Sequence, residues 1–508
     1  MKTVVFASQQ WPSFLATIAV VLTFFLFFFK LFKKKDVLNL PPSPPRLPII
    51  GNLHQLGSLA HRSLQSLSEK YGPVMLLHFG GNAAIVVSSA EMAGEIMKTH
   101  DQICASRPPS SMAKRLFYGS SVAFSPYSEY WRQLRRISGV HLLSHKRVQS
   151  FRSVREEEVC LIVEKIRASC NGSVNLSEMI VNLTNNIVCR VAMGRKYLGE
   201  EGEGYNFGEM LKELLTLAGS FPVRDFIPWL GWLDILSGLD ARVRKCSREF
   251  DGFLERVIDE HKHYKVSSRN DEEESNFVDV LLSLNEKDGM AGISLTRDNM
   301  KAIILDMFAA GTDTTYTVIE WVMAELIKNP DVMKRVQEEV RGITLCSGEI
   351  KEESIDRMKY LKAVIKETLR LHPPVPLLVP RETMEEVELQ GYHIPAGTRV
   401  IVNAWAIGRD PRSWDKPEEF YPERFVNCDI DFKGQDFMLI PFGAGRRGCP
   451  GIEFAMATIE ITLAHLLGHF DWELADEMQG EVLDMSESPG LTAPKRSSLV
   501  LVAKLPIT

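Results

Sequence analysis

The chain has 508 residues, 45% of them apolar and 24% charged, which fits a packed globular protein and argues against a disordered one. Its formal charge of −6 argues against a general nucleic-acid binder. The eight cysteines, at 104, 160, 170, 189, 246, 346, 428 and 449, form no C-x-x-C pair. That argues against a structural zinc site, a dithiol redox motif or a disulfide scaffold, and points to a reducing compartment.

In chain order, the first feature is apolar. Residues 11–29 carry no charge, and with Lys30-Leu31-Phe32 the stretch reaches about 20 residues, the length of one membrane-spanning helix. Lys33-Lys34-Lys35 follows at once, whereas only Lys2 precedes it, so the lysine side faces the cytosol. A cleaved signal peptide would carry its charges first and a small-residue cleavage site after. Residues 1–32 are therefore expected to be an uncleaved anchor. Three sequons, beginning at Asn171, Asn175 and Asn182, are expected to stay bare on the cytosolic side. The proline run at 41–48 predicts a stiff, extended spacer within a basic and proline-rich linker at 33–50. The compact domain then occupies 51–508. An acidic patch at 271–274 reads as a solvated loop.

Past residue 51 helical periodicity dominates. Short strand-like pieces fall near 74–79, 84–87, 387–389 and 399–403, which predicts a mainly α fold with small β-sheets. Trp131 and Arg135 stand at i, i+4, an indole N–H and a guanidinium on one helix face, both apt donors to carboxylates. A basic amphipathic helix would look the same. The longest helix is expected over 296–328, with Ser294 or Thr296 as cap and Asn329-Pro330 as stop. Midway along it, Ala310-Gly311-Thr312-Asp313-Thr314-Thr315 is a run of poor helix formers. Threonine hydroxyls there can draw carbonyls out of the ladder and bend the helix. Ile303, Met307, Ala310 and Thr314 share one face.

A helix from about 355 is expected to end at His372-Pro373-Pro374. It carries Glu367 and Arg370 at i, i+3, a spacing that on a surface amounts to roughly 0.2–0.5 kcal/mol. Pro422-Glu423-Arg424-Phe425 follows. The loop 441–451 has four glycines and two prolines and leads into a helix expected over 450–469. Pro450 suits the first helical position. Cys449 would then sit at the helix N-terminus, where unpaired N–H groups and the dipole stabilise a thiolate. Small residues would let the backbone lie against a flat macrocycle.

The spacing F-x-x-G-x-R-x-C-x-G, filled by Phe442, Gly445, Arg447, Cys449 and Gly451, resembles the cytochrome P450 superfamily. The Glu367–Arg370 pair, the 422–425 segment and the 310–315 segment extend the resemblance, and the anchor and spacer carry it over the whole chain. The resemblance implies the P450 fold, with haem b between the long helix and the cysteine-loop helix and Cys449 as the iron ligand. It places Phe442 and Gly451 against the macrocycle, and Trp131, Arg135, Arg381 and Arg447 on its propionates. It makes Asp313 and Thr314 the proton-delivering pair, and Glu367, Arg370 and Arg424 a buried structural network bracing the cysteine loop. Its pocket walls would include Phe117, Val122, Ala310, Val375, Val379 and Leu491, with the 205–235 segment.

The branch it looks like is that of plant microsomal enzymes of specialised metabolism. Such an enzyme inserts one atom of O2 into a small apolar molecule such as a terpenoid or a phenylpropanoid. The spacing G-x-G-x-x-G occurs only inside the cysteine loop, at 443–448, and not between a strand and a helix as a dinucleotide fingerprint requires, so the two electrons are expected from NADPH through a separate reductase in the endoplasmic reticulum membrane. Arg132, Arg136, Lys146, Arg147 and Arg446 are candidates for its docking surface. A haem-thiolate isomerase or dehydratase needing no reductase is the alternative, and it would not need Thr314.

Overall fold

Alternating apolar residues build the first hairpin. Strand β1 (Val74–Phe79) pairs antiparallel with β2 (Asn82–Val87), Val74 facing Val87, across a turn in which Gly80 takes φ +59. The computed structural model describes Thr23 and residues 39–197, 207–267, 276–286, 295–347, 350–475 and 483–506. The expected anchor at 1–32, Thr23 apart, and the acidic patch at 271–274 lie outside the described residues. Among the described residues no helix is long and apolar enough to cross a membrane.

The proline segment lies along the fold rather than standing off it. Pro41 and Pro44 are buried, the Pro42 carbonyl accepts Leu76 N–H at 2.8 Å, and Asn39 accepts His393 N–H at 2.7 Å.

Helix α1 (Glu129–Ile137) is capped by Ser128 and buries Trp131, Leu134 and Ile137 on one face. Helix α2 (Arg152–Ala168) leads to β3 (Ser173–Asn175) and α3 (Leu176–Met193), which Asn175 caps. Helix α4 (Arg297–Lys328) is the 32-residue centre of the molecule, about 48 Å long. It opens as the sequence predicts, on Thr296, which forms a capping box with Asn299. Both α3 and the later cysteine-loop helix pack on it. Buried residues occur all round it, the pattern of a helix enclosed by protein on every side.

The helix expected from 355 divides. A short turn, Glu352–Ile355, precedes α5 (Lys359–Leu371), because Met358 leaves the helical region at φ −84, ψ 74. Four short strands follow: β4 (Arg381–Glu382), β5 (Val387–Leu389), β6 (Tyr392–Ile394) and β7 (Arg399–Val402). The four-stranded sheet runs β1-β2-β7-β4, with β2 and β7 parallel. Helix α6 (Ile452–His469) comes next, then β8 (Asp471–Leu474) and β9 (Val500–Lys504), which with β3 make a three-stranded sheet. The result is mainly helical, with sheets at the periphery.

Candidate active site

One cavity opens between the middle of α4 and the loop before α6. It holds about 1430 Å³ of space unfilled by protein, part of it open to solvent. Cys449 lines it from one side. Met307, Ala310, Gly311, Thr314 and Thr315 line it from α4, and Val122, Val188, Val191, Val375, Leu378 and Val379 complete an apolar wall. Leu378 holds φ +52, a left-handed backbone uncommon for such a residue, in a turn closed by its N–H to Val375 O at 3.0 Å.

The cysteine loop is a hydrogen-bonded cradle. Cys449 N–H donates to Phe442 O at 2.9 Å, and Gly448 N–H to Gly445 O at 3.0 Å. Gly445, at φ +66, lies so close to the 97–101 backbone that a Cβ would meet Met97 O at 2.3 Å, so only glycine fits. The helix begins later than expected, at Ile452 with Gly451 as cap. Pro450 is therefore not its first residue, and Cys449 lies ahead of the helical end. What reaches the sulfur is Gly451 N–H, 3.3 Å from Sγ. Burial raises the Cys449 thiol above its ordinary value, while that N–H and the nearby Arg135 draw it down.

Around the same cavity four guanidinium groups converge: Arg107, Arg135, Arg381 and Arg447. All are held below the usual arginine range, first by burial; Arg107 is lowered further by Arg447, Arg381 and Arg135, and Arg447 by Arg381 and Arg135. Arg447 is pushed down to about 9. The facing carboxylate is Asp101, which accepts Arg381 Nη1 at 3.1 Å and Arg446 N–H at 2.9 Å. Neither Asp101 nor Arg107 is marked by any spacing in the sequence. Trp131 departs from expectation. Its single N–H donor is given to Val122 O at 2.9 Å, and its ring lies 3.8 Å beneath the Arg447 guanidinium.

On α4, Thr314 faces the cavity and its hydroxyl donates to Ala310 O at 2.6 Å. Asp313, one residue earlier, does not line the cavity. Thr492 Oγ1 donates to its Oδ2, and Tyr316 also lies in hydrogen-bond reach. Burial raises its carboxyl above the ordinary value, and those two hydroxyls pull it back. Asp306, absent from the expectations, does line the cavity. It accepts Ser121 Oγ and Val122 N–H, both at 2.6 Å, and burial pushes it up to about 7. The buried Thr315 hydroxyl has no hydrogen-bond partner among the described residues.

The pocket residues named from sequence divide. Val122, Ala310, Val375 and Val379 line the cavity. Phe117 is instead core, packed on Phe124 with ring centroids 5.4 Å apart. Leu491 sits against Gly219, and residues of the 207–235 segment are not among the lining.

The expected network closes outside the cavity. Arg370 donates twice to Glu367, at 2.7 and 2.8 Å, and both side chains are fully buried. Glu367 Oε1 also accepts Tyr421 N–H at 2.8 Å and Arg424 Nε at 3.1 Å. Arg370 ends on the carbonyls of Gly408, Pro417 and Glu419. These bonds hold the 408–424 segment, upstream of the cysteine loop.

The cytochrome P450 family model matches residues 41–502. This chain belongs to the cytochrome P450 family. The P450 is 54% identical over 492 residues to cytochrome P450 71A1 of Persea americana, covering 96% of this chain and 97% of the relative. It is 51% identical over 477 residues to phenylacetaldehyde oxime monooxygenase CYP71AN24 of Prunus mume, covering 92% and 90%. It is 49% identical over 502 residues to norfluorocurarine oxidase of Strychnos sp, covering 96% and 98%. A zebrafish cytochrome P450 solved with progesterone matches with a TM-score of 0.74 at 25% identity, covering 87% of this chain and 99% of that one. The chain is thus a cytochrome P450 monooxygenase, similar to plant enzymes of specialised metabolism.

The family implies a haem, and the cavity fits one. Three buried guanidiniums, Arg107, Arg381 and Arg447, and the half-buried Arg135 gather around the cavity; among the described residues the carboxylate facing them is Asp101, so they call for further anions, and a macrocycle with two propionates supplies two. The soft sulfur of Cys449 faces the same space, a ligand suited to haem iron.

Proposed function

We propose that the protein is a haem-thiolate monooxygenase that inserts one atom of O2 into a small apolar substrate of the terpenoid or phenylpropanoid kind. The observation that carries this is the convergence on one apolar cavity of a thiol, a threonine hydroxyl and four arginines, of which Arg381 alone pairs with a carboxylate among the described residues. When bound, the haem supplies the iron at which O2 is reduced and from which oxygen is transferred.

The chain's residues divide the remaining work. Cys449 Sγ would ligate the iron, and Arg135, Arg381 and Arg447, with Arg107, would hold the propionates. Val122, Val375 and Val379 exclude water and pack an apolar ligand. The Thr314 hydroxyl, now on Ala310 O, is placed to turn into the cavity and pass a proton there. Asp313, next to it, would receive that proton from the side away from the substrate. A second proton path through Asp306 has no support, because its oxygens already hold the Ser121 hydroxyl and the Val122 N–H.

Electrons would come from NADPH through a separate reductase. Arg132, Arg136, Lys146 and Arg446 are exposed, which supports a basic docking face on the cysteine side. Attachment to the endoplasmic reticulum through residues 1–32 is supported by an exposed apolar cluster: Phe221, Trp229, Trp232, Ile235 and Leu236, with Leu47 and Ile49. Gly80 N–H bonds Ile50 O and Gly81 N–H bonds Phe226 O, so the two groups of residues adjoin. Exposed large apolar patches of this kind mark interaction surfaces.

The test is co-expression with a plant reductase in microsomes and a screen of terpenoids and phenylpropanoids. Products that require both NADPH and O2 are expected. Turnover that continues without NADPH would replace this reading with an isomerase.

A further inference from the structure

Three buried acids stand a heptad apart on α4: Asp306, Asp313 and Glu320. The C-terminal loop grips two of them. Thr492 Oγ1 donates to Asp313, and three residues later Lys495 N–H donates to Glu320 Oε2 at 3.3 Å. The residues flanking Thr492 are tied down as well. Ala493 N–H donates to Pro374 O at 3.0 Å, and Ala493 O accepts the Trp321 indole N–H at 2.9 Å. Leu491 N lies where a Cβ on Gly219, just past helix Phe207–Ala218, would come within 2.9 Å of it. Residues 491–493 thus join the end of that helix, the acid, and the Pro374 edge of the cavity.

We propose that Thr492 is a positioning residue of the proton relay, holding the Asp313 carboxyl out of the cavity and setting when it takes up and releases its proton. The inference rests on the reading that Asp313 supplies protons beside Thr314. A hydroxyl that donates to a carboxylate favours its charged form. Removing it from a buried site leaves burial less opposed, so the proton is held to higher pH. The other group facing Asp313 is Tyr316 on its own helix; Tyr316 in turn faces Glu320, which faces Lys495 from the loop. Lys495 is engaged with Glu320 and the Asp484 carbonyl, which leaves Thr492 as the loop's contact to this acid among the described residues. Because the same turn touches the cavity edge, a substrate pressing on that edge would be felt at Asp313.

The experiment compares full-length haem-loaded wild type with T492V, T492S and D313N. The infrared band of a protonated buried carboxyl that vanishes in D313N identifies Asp313, and its titration is followed in each protein. Product per NADPH and the solvent isotope effect are measured alongside. T492V, which keeps shape and loses the hydroxyl, should move the Asp313 midpoint up by about one pH unit, the worth of one hydrogen bond to a charged group. It should also enlarge the solvent isotope effect. T492S should restore both. An unmoved midpoint and isotope effect in T492V, with D313N altered, would overturn the role of Thr492 alone. If D313N itself changed neither product yield per NADPH nor the isotope effect, the underlying reading of Asp313 would fail instead.

Discussion

Glu367→Gln isolates what burial does to an ion pair. Among the described residues two Glu–Arg ion pairs stand at i, i+3. Glu129–Arg132 has side chains 63% and 56% exposed, whereas Glu367–Arg370 is at 0% for both. The first gains little because water competes for both partners and screens them, so Glu129→Gln should cost under about 0.5 kcal/mol. The second has four donors on one carboxylate: Arg370 Nε and Nη2, Arg424 Nε and Tyr421 N–H. Glutamine presents an NH2 group to one guanidinium donor and leaves the fully buried Arg370 and the partly buried Arg424 without an anion. Breaking one partner of such a network costs about 3–5 kcal/mol, roughly a fifth or more of the total stability of a typical domain. Scanning calorimetry at a fixed rate on the haem-loaded protein, with haem content measured before each scan, would show a large fall in midpoint for E367Q and almost none for E129Q. Substrate preference in any surviving E367Q should be unchanged, since the network lies outside the cavity. Equal midpoints for the two variants would refute the claim that exposure, and not spacing, sets the energy.

Replacing Cys449 by Ser should abolish the thiolate-type spectrum of the reduced carbon monoxide complex while leaving the far-ultraviolet circular dichroism near wild type. Arg135 makes no hydrogen bond among the described residues and adds to the repulsion on Arg107 and Arg447. R135Q should therefore stabilise the haem-free chain slightly yet speed haem transfer to an acceptor globin; slower transfer would contradict the propionate role. Asp306 is raised from 3.8 to about 7, so its contribution to stability is full below pH 4 and is lost as pH rises through 7. The wild type's advantage over D306N in denaturant unfolding should shrink by about 3 kcal/mol between pH 5 and 8, and a difference independent of pH would mean that Asp306 does not titrate there. Neutralising Arg132, Arg136 and Lys146 together should slow reduction by the reductase in a salt-sensitive way with haem content intact, as stopped-flow mixing would show.

What the sequence made legible were the features whose physics is local. Strand boundaries at 74–79 and 387–389 coincide with β1 and β5 because alternation and flanking turns are written in adjacent residues. Thr296 caps α4 because its partner, Asn299, is three residues away. The cysteine loop was legible because its glycines, its arginine and its sulfur must lie within one turn of chain. Where the local signal was only partial, boundaries moved: α6 starts after Gly451 although Pro450 could have opened it, and α5 waits for Lys359. The groups that escaped notice draw their meaning from distance. Asp101 matters because Arg381 and Arg446 fold onto it from 280 and 345 residues away, and Asp306 because Ser121 and Val122 arrive from across the chain. Trp131 shows the same limit from the other side. Its spacing to Arg135 suggested a donor aimed at a carboxylate, and a carbonyl nine residues upstream had already taken its one hydrogen. The reactive centre and three of its arginines can therefore be read from the sequence, but Arg107, Asp101 and Asp306, which share in setting its charge, cannot. The arginines become a site for two carboxylates only once folding has gathered them around one cavity with too few anions of their own.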